Sequence, residues 1–230
     1  MELIGGKSYE NGIDFLVKDG KRKFIYSARR NQDDSIETFV SNSYTKVHTR
    51  APWEYALCGI VTILFVLIIL FFKTIENASL AKWGWILSLI TFWIGFVTFL
   101  YLQSRDERNK ATARFHAVEH KVLNFYQKYA YLPRTTDDIE KMSAIYMGCG
   151  ATLIIVIALF STFAALSILI VPTILLKSLC VAISGVITMY CWANGKCDFA
   201  QKWLVKRPTH EEIELGVCAM HRLAKEINML

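Results

Sequence analysis

The sequence predicts a mainly α-helical membrane protein, with four transmembrane helices in two hairpins, a small N-terminal β-rich cytosolic module and cytosolic helices. Three observations lead to that fold class. Hydrophobic residues make up 53% of the chain, mean hydropathy is +0.31, and the apolar residues are gathered into long runs. Lys and Arg cluster outside those runs, and alternating apolar residues flank an Asp-Gly turn near the N-terminus.

In chain order, residues 1–52 read as the cytosolic β-rich module. Gly5-Gly6 opens it, Ile13 to Val17 is a short strand, Asp19-Gly20 supplies a hairpin turn, and Lys23 to Tyr26 returns as a second strand. From Ile36 to Val47 the alternation does not decide between strand and helix. Residues 53–102 form the first predicted membrane hairpin. Ala56 to Phe72 is uncharged, with Trp53 and Tyr55 at the headgroup level, and Leu80 to Leu102 is flanked by Trp83, Trp85 and Tyr101.

Residues 103–144 are a charged cytosolic segment. Ser104 and Glu107 have capping-box spacing, which predicts a new helix at Ser104. Its apolar stripe of Phe115, Val118, Val122, Phe125 and Tyr129 is expected to lie along the headgroups, and Leu132-Pro133 ends it. Thr135 to Asp138 caps a short lead-in to the second hairpin, residues 145–193, whose spans Ile145 to Val171 and Thr173 to Ala193 turn at Pro172, with Lys177 snorkelling towards the turn. Residues 194–230 end in a helix capped by Thr209 and Glu212, with Ile213, Val217, Met220 and Ala224 on one face.

Nine Lys and Arg precede the first span, eight lie between the second and third, and six follow the fourth. That asymmetry places both termini and the central segment in the cytoplasm and predicts a multi-pass protein of the cytoplasmic membrane. The first apolar run begins too far in to be a cleaved signal. The net charge of +6 is accounted for by the anionic inner leaflet. The expected partners are the lipid bilayer and other membrane proteins, with no nucleic acid. The six cysteines fall in apolar runs or face a reducing compartment, so no disulfide framework is expected.

The chemistry concentrates in Phe115-His116-Ala117-Val118-Glu119-His120-Lys121. His116 and His120 share a helix face, and Glu119 precedes the second histidine, giving H-x-x-E-H, the inverted zincin order. His116 and His120 are candidate ligands of a divalent metal, most simply zinc, with Glu119 the catalytic base and Lys121 a contact for an anionic group. A third ligand is required. His48, Asp137, Asp138, Cys149, His210 and His221 qualify by residue type, and spacing does not choose among them. The resulting expectation is a cytosol-facing, zinc-like site of hydrolase type. The alternative is a non-enzymatic membrane scaffold or assembly factor with a degenerate metal site. A transporter fits less well, because the spans carry almost no acids or histidines.

The combination of Gly5-Gly6 with Gly12-Ile13, the H-x-x-E-H-K stretch, Cys149-Gly150, and Pro208-Thr209-His210-Glu211-Glu212 resembles the YqhQ-like family of bacterial membrane proteins, a domain of unknown function described as predicted metal-dependent enzymes. The resemblance implies a four-span bacterial inner-membrane protein with a metal site, and no established substrate. Three positions depart from the family pattern. Asn11 stands where the family has glutamate, Gln127 replaces another glutamate, and Tyr146 to Ala151 keeps Cys-Gly of the family's H-P-R-C-G-T while losing its histidine and arginine. These departures predict an altered site.

Overall fold

The computed structural model describes residues 2–42, 78–147, 149–171, 173–198 and 201–228, which fall into two compact units. The first unit comprises residues 1–47, 106–152 and 198–230, three separate stretches of chain brought together. Its sheet is an antiparallel meander of β1 (Glu2–Tyr9), β2 (Gly12–Asp19), β3 (Arg22–Arg30) and β4 (Ile36–Ser41), in that order. Gly20 has φ of 58° in the β2–β3 turn, the left-handed conformation that a two-residue Asp-Gly hairpin favours.

The second unit comprises residues 48–105 and 153–197. It holds α1 (Ala78–Arg105), most of α4 (Gly150–Ile170) and α5 (Ile174–Ala193). The first unit holds α2 (Glu107–Tyr129), α3 (Thr136–Glu140), α6 (Gln201–Leu204) and α7 (His210–Asn228).

The core of the first unit forms where α2 and α7 pack on the sheet. Ile13, Phe15 and Val17 of β2 and Tyr26 and Ala28 of β3 meet Phe115, Val118, Val122 and Phe125 of α2 and Ile213, Met220 and Leu223 of α7. Apart from Tyr129, which is exposed, the α2 stripe expected on headgroups is therefore buried against protein. An apolar stripe at helical spacing reports a buried face and does not say what buries it. The helices approach closely at Gly216, where a Cβ would stand 2.5 Å from Val118 Cγ1.

A polar cluster lies off this apolar core: Asp14 is fully buried, Arg29 Nη2 meets its Oδ1 at 2.5 Å, and Tyr9 donates to its Oδ2 at 2.9 Å. The Arg29 guanidinium also stacks 4.2 Å from the Tyr9 ring centroid, so the buried charge is both paired and hydrogen-bonded.

Four membrane helices in two hairpins is not the fold that the described residues show. They form a mixed α and β structure with a four-stranded sheet, and one helix, Leu175–Ala193, is long and apolar enough to cross a membrane. The apolar stretches Trp83–Thr98 and Ile155–Ser167 are shorter. The first expected span, within residues 53–72, lies outside the described residues, as does Pro172. Hydropathy over a window does not register where a helix starts. The span expected from Ile145 starts later, with helix beginning at Gly150. In the second unit, Trp93 Nε1 donates to Thr162 Oγ1 at 3.0 Å, while only 6% of the apolar α5 window is buried.

Candidate metal centre

The site starts from a helix boundary. Ser104 does not cap α2: its hydroxyl donates back to the Tyr101 carbonyl at 2.7 Å, extending α1. Asp106 is the N-cap instead, accepting from the Arg108 N–H at 3.1 Å. From that start, His116, Glu119 and His120 fall on the α2 flank beside β1 and the segment after α3.

The segment from Lys141 to Met147 is irregular, so its carbonyls cannot be satisfied by a helix and must find other donors. The side chains of α2 provide them. Lys121 Nζ donates to Glu140 O and Met142 O, both at 2.5 Å, Asn124 Nδ2 to Ser143 O and Ile145 O, both at 2.8 Å, and His120 Nδ1 to Ala144 O at 2.7 Å. Gln201, fully buried, closes the clamp: its Oε1 accepts from Tyr146 N at 2.9 Å and its Nε2 donates to Tyr146 O at 2.8 Å. The fixed strap delivers Cys149 to the histidines. Lys121, expected to meet an anionic group, is committed to this strap, and burial pushes its pKa down.

Each imidazole has a defined orientation. A carbonyl only accepts, so the Ala144 contact places a proton on His120 Nδ1 and leaves Nε2 as a donor atom for a metal. His116 Nδ1 lies 3.1 Å from Glu119 Oε2, and its Nε2 lies 3.3 Å from Cys149 Sγ. Ser8 of β1 donates to the same Glu119 oxygen at 2.9 Å. Gly6 makes room for that carboxylate, because a Cβ there would stand 2.9 Å from Glu119 Cγ.

One atom each from His116, His120 and Cys149 lies within 4.8 Å of the others. Ligand atoms around a tetrahedral zinc-like ion stand about 3.4–3.8 Å apart, given bonds of about 2.0–2.3 Å. Movements of about 1 Å therefore close the set. Two imidazoles and a thiolate are a donor set that zinc accepts, and the carboxylate and carbonyl behind the imidazoles are the outer contacts that such ligands carry. The residues fit the metal.

Without a metal the same atoms hold charge. Burial opposes the His116 cation, but the Cys149 and Glu119 hydrogen bonds and charges outweigh it and raise the pKa to about 10. Burial likewise opposes the Cys149 thiolate, and His116 and His120 bring its pKa down to about 6. An imidazolium–thiolate pair results, and a metal ion would replace its proton.

The three donors border a cavity of about 410 Å³, which Gly5, Gly6 and Ser8 of β1, Thr112, Glu119 and Tyr146 also line. The other candidate ligands stand elsewhere. Asp138 serves the α3 capping box with Thr135, Asp137 and His210 are exposed, His221 contacts the Arg134 carbonyl, and His48 lies outside the described residues. Asn11, in the β1–β2 turn, and Gln127, exposed on α2, do not line the cavity, so those family departures leave the cluster itself intact. Tyr146 does line it, with its ring centroid 5.7 Å from that of His120. Ser8 carries no motif and the backbone reason for Gly6 is visible only in the structure; the Gly5-Gly6 pair is the one signal the sequence holds for this edge.

A family described as a protein of unknown function (DUF1385) matches residues 13–226. No curated protein and no solved structure matches the chain. The match takes in the sheet from β2 onward, the histidine helix, the strap with Cys149 and α7, and the chain therefore belongs to the DUF1385 family.

Proposed function

We propose that His116, His120 and Cys149 hold one divalent, zinc-like ion and that the centre is of hydrolase type. The observation that carries this reading is the convergence of three donor atoms within 4.8 Å at a cavity wall, with both imidazoles oriented from behind. His116, His120 and Cys149 would hold the ion, which when bound would supply Lewis acidity and lower the pKa of water. Glu119 has two tasks. Its Oε2 fixes His116, and its Oε1, without a hydrogen bond among the described residues, accepts a proton from water in the cavity. The resemblance to YqhQ-like proteins supports the same assignment, and the exposed apolar surface of α5 supports attachment to a membrane.

Cobalt substitution tests the ligand set. The expected spectrum is that of a tetrahedral ion with a thiolate charge-transfer band that Cys149→Ser removes; a cobalt spectrum unchanged in Cys149→Ser contradicts the set.

The alignment Glu119, His116, Cys149 favours a second reading, a thiolate nucleophile with an oriented base. The two separate by alkylation. In the metal reading, iodoacetamide labels Cys149 only after chelation, whereas a working nucleophile is labelled as fast without chelator.

A further inference from the structure

One wall of the cavity is a strand edge. Glu10-Asn11 forms a two-residue turn, so Tyr9 and Gly12 close the β1–β2 hairpin. Antiparallel residues alternate between bonding their partner strand and pointing both backbone groups away from it. Counting from the closing pair, Tyr9, Lys7 and Gly5 bond β2, while Ser8 and Gly6 direct their N–H and C=O outward. The β2–β3 hairpin, closed by Asp19 and Arg22, gives the matching count: Ile13 and Phe15, opposite Ser8 and Gly6, bond β3.

β1 is the terminal strand of the sheet, and among the described residues no strand lies outside it. Ile4, Gly5, Gly6, Lys7 and Ser8 all line the cavity. Side chains alternate between the two faces of a strand, so five consecutive lining residues mean that the edge itself faces the cavity. The edge is also bare: neither glycine has a side chain, and a Cβ on Gly5 would meet nothing within 4 Å. Unpaired donors and acceptors two residues apart, about 6.8 Å along a strand, match the repeat of another extended polyamide. A strand added about 4.8 Å outside β1 would run through the cavity past His116, Glu119 and Cys149.

We propose that the substrate is an extended peptide chain, bound as an additional strand on the outer edge of β1 at Gly6 and Ser8. For its chemistry this rests on the metal-centre reading; for its binding geometry it does not. Hydrolysis there joins a water oxygen to the amide carbon and breaks the C–N bond, with one water proton passing by way of Glu119 to the departing nitrogen.

The test is fluorescence anisotropy on the purified full chain with a library of fluorescein-labelled octapeptides, followed by single-site N-methylation of the tightest binder. Methylation removes a peptide N–H without altering the protein. Affinity is expected to fall about tenfold at alternate positions, the loss of one hydrogen bond of about 1.4 kcal/mol, and to hold within about twofold between them. No binding by any peptide, or losses without a two-residue period, overturns the proposal. Metal content of the same samples separates the two readings. One ion per chain without the alternating pattern removes the peptide and leaves the metal; the pattern without an ion does the reverse.

Discussion

Gly6→Ala is the smallest change that tests how the metal centre is supported. The added Cβ would stand 2.6 Å from the Asp14 carbonyl oxygen, 2.9 Å from Glu119 Cγ and 3.0 Å from Glu119 Cδ. Asp14 belongs to the neighbouring strand and its carbonyl is held in the sheet, so the 2.6 Å contact forces a local shift of β1, and the contacts at 2.9 and 3.0 Å displace the Glu119 side chain as well. That carboxylate holds His116 at 3.1 Å and accepts from Ser8 at 2.9 Å, and a displacement of about 0.5–1 Å breaks or lengthens both contacts. Overpacking costs about 1–3 kcal/mol, and a weakened hydrogen bond to a charged group about 1.5–3 kcal/mol. A net loss of about 3 kcal/mol follows, seen as a lower urea midpoint at unchanged slope. Loss of the outer support of a metal ligand weakens metal affinity about 10–100-fold, measured by competition with a chelator. Stability within about 0.5 kcal/mol of the parent together with metal affinity within about twofold would refute this role for Gly6.

Three other outcomes follow from the same geometry. Gln201→Ala leaves the part-buried Tyr146 N–H without a partner and its C=O with only the Cys149 N–H at 3.4 Å, and is expected to cost about 1–3 kcal/mol in urea unfolding; a neutral result would mean the strap is held by α2 alone. Asp14→Ala strands the Arg29 guanidinium and is expected to cost about 3–5 kcal/mol, whereas the joint change Asp14→Leu with Arg29→Met recovers most of it in the same assay. For metal-free protein, the His116 contribution is full below its unfolded value near 6.5 and is lost as pH rises through about 10. The Cys149 contribution is present above its unfolded value near 9.0 and is lost as pH falls through about 6. Between about 6.5 and 9 the slopes oppose, so unfolding free energy should be flat; an unopposed His116 would instead lose about 3 kcal/mol over that window, a fall that urea titrations across pH detect.

Local signals in the sequence transferred to the structure where the cause was local. Asp19-Gly20 turns the β2–β3 hairpin, Thr135 with Asp138 and Thr209 with Glu212 form reciprocal caps, and Ile213, Val217 and Met220 form the buried face of α7. Helical periodicity likewise placed His116, Glu119 and His120 on one face. What failed depended on distant chain. The α2 stripe meets a sheet whose residues lie about a hundred positions earlier, and the expectation of headgroups failed because an apolar stripe does not say what covers it. Asp106 displaced Ser104 as the cap because α1 continues through Arg105, a choice between neighbouring polar residues that spacing leaves undecided. Cys149 was one of six possible third ligands until the strap held by Lys121, Asn124 and Gln201 placed it beside His116. Ser8 carries no motif at all; only the pairing of β1 with β2 and the packing of α2 bring it to Glu119.

The most direct measurement of the central claim is elemental analysis of the natively purified chain beside a variant combining His116→Ala, His120→Ala and Cys149→Ala. The parent is expected to carry about one zinc-like ion per chain and the variant none. A parent without metal after purification and zinc reconstitution, or a variant that retains the full ion, would contradict it.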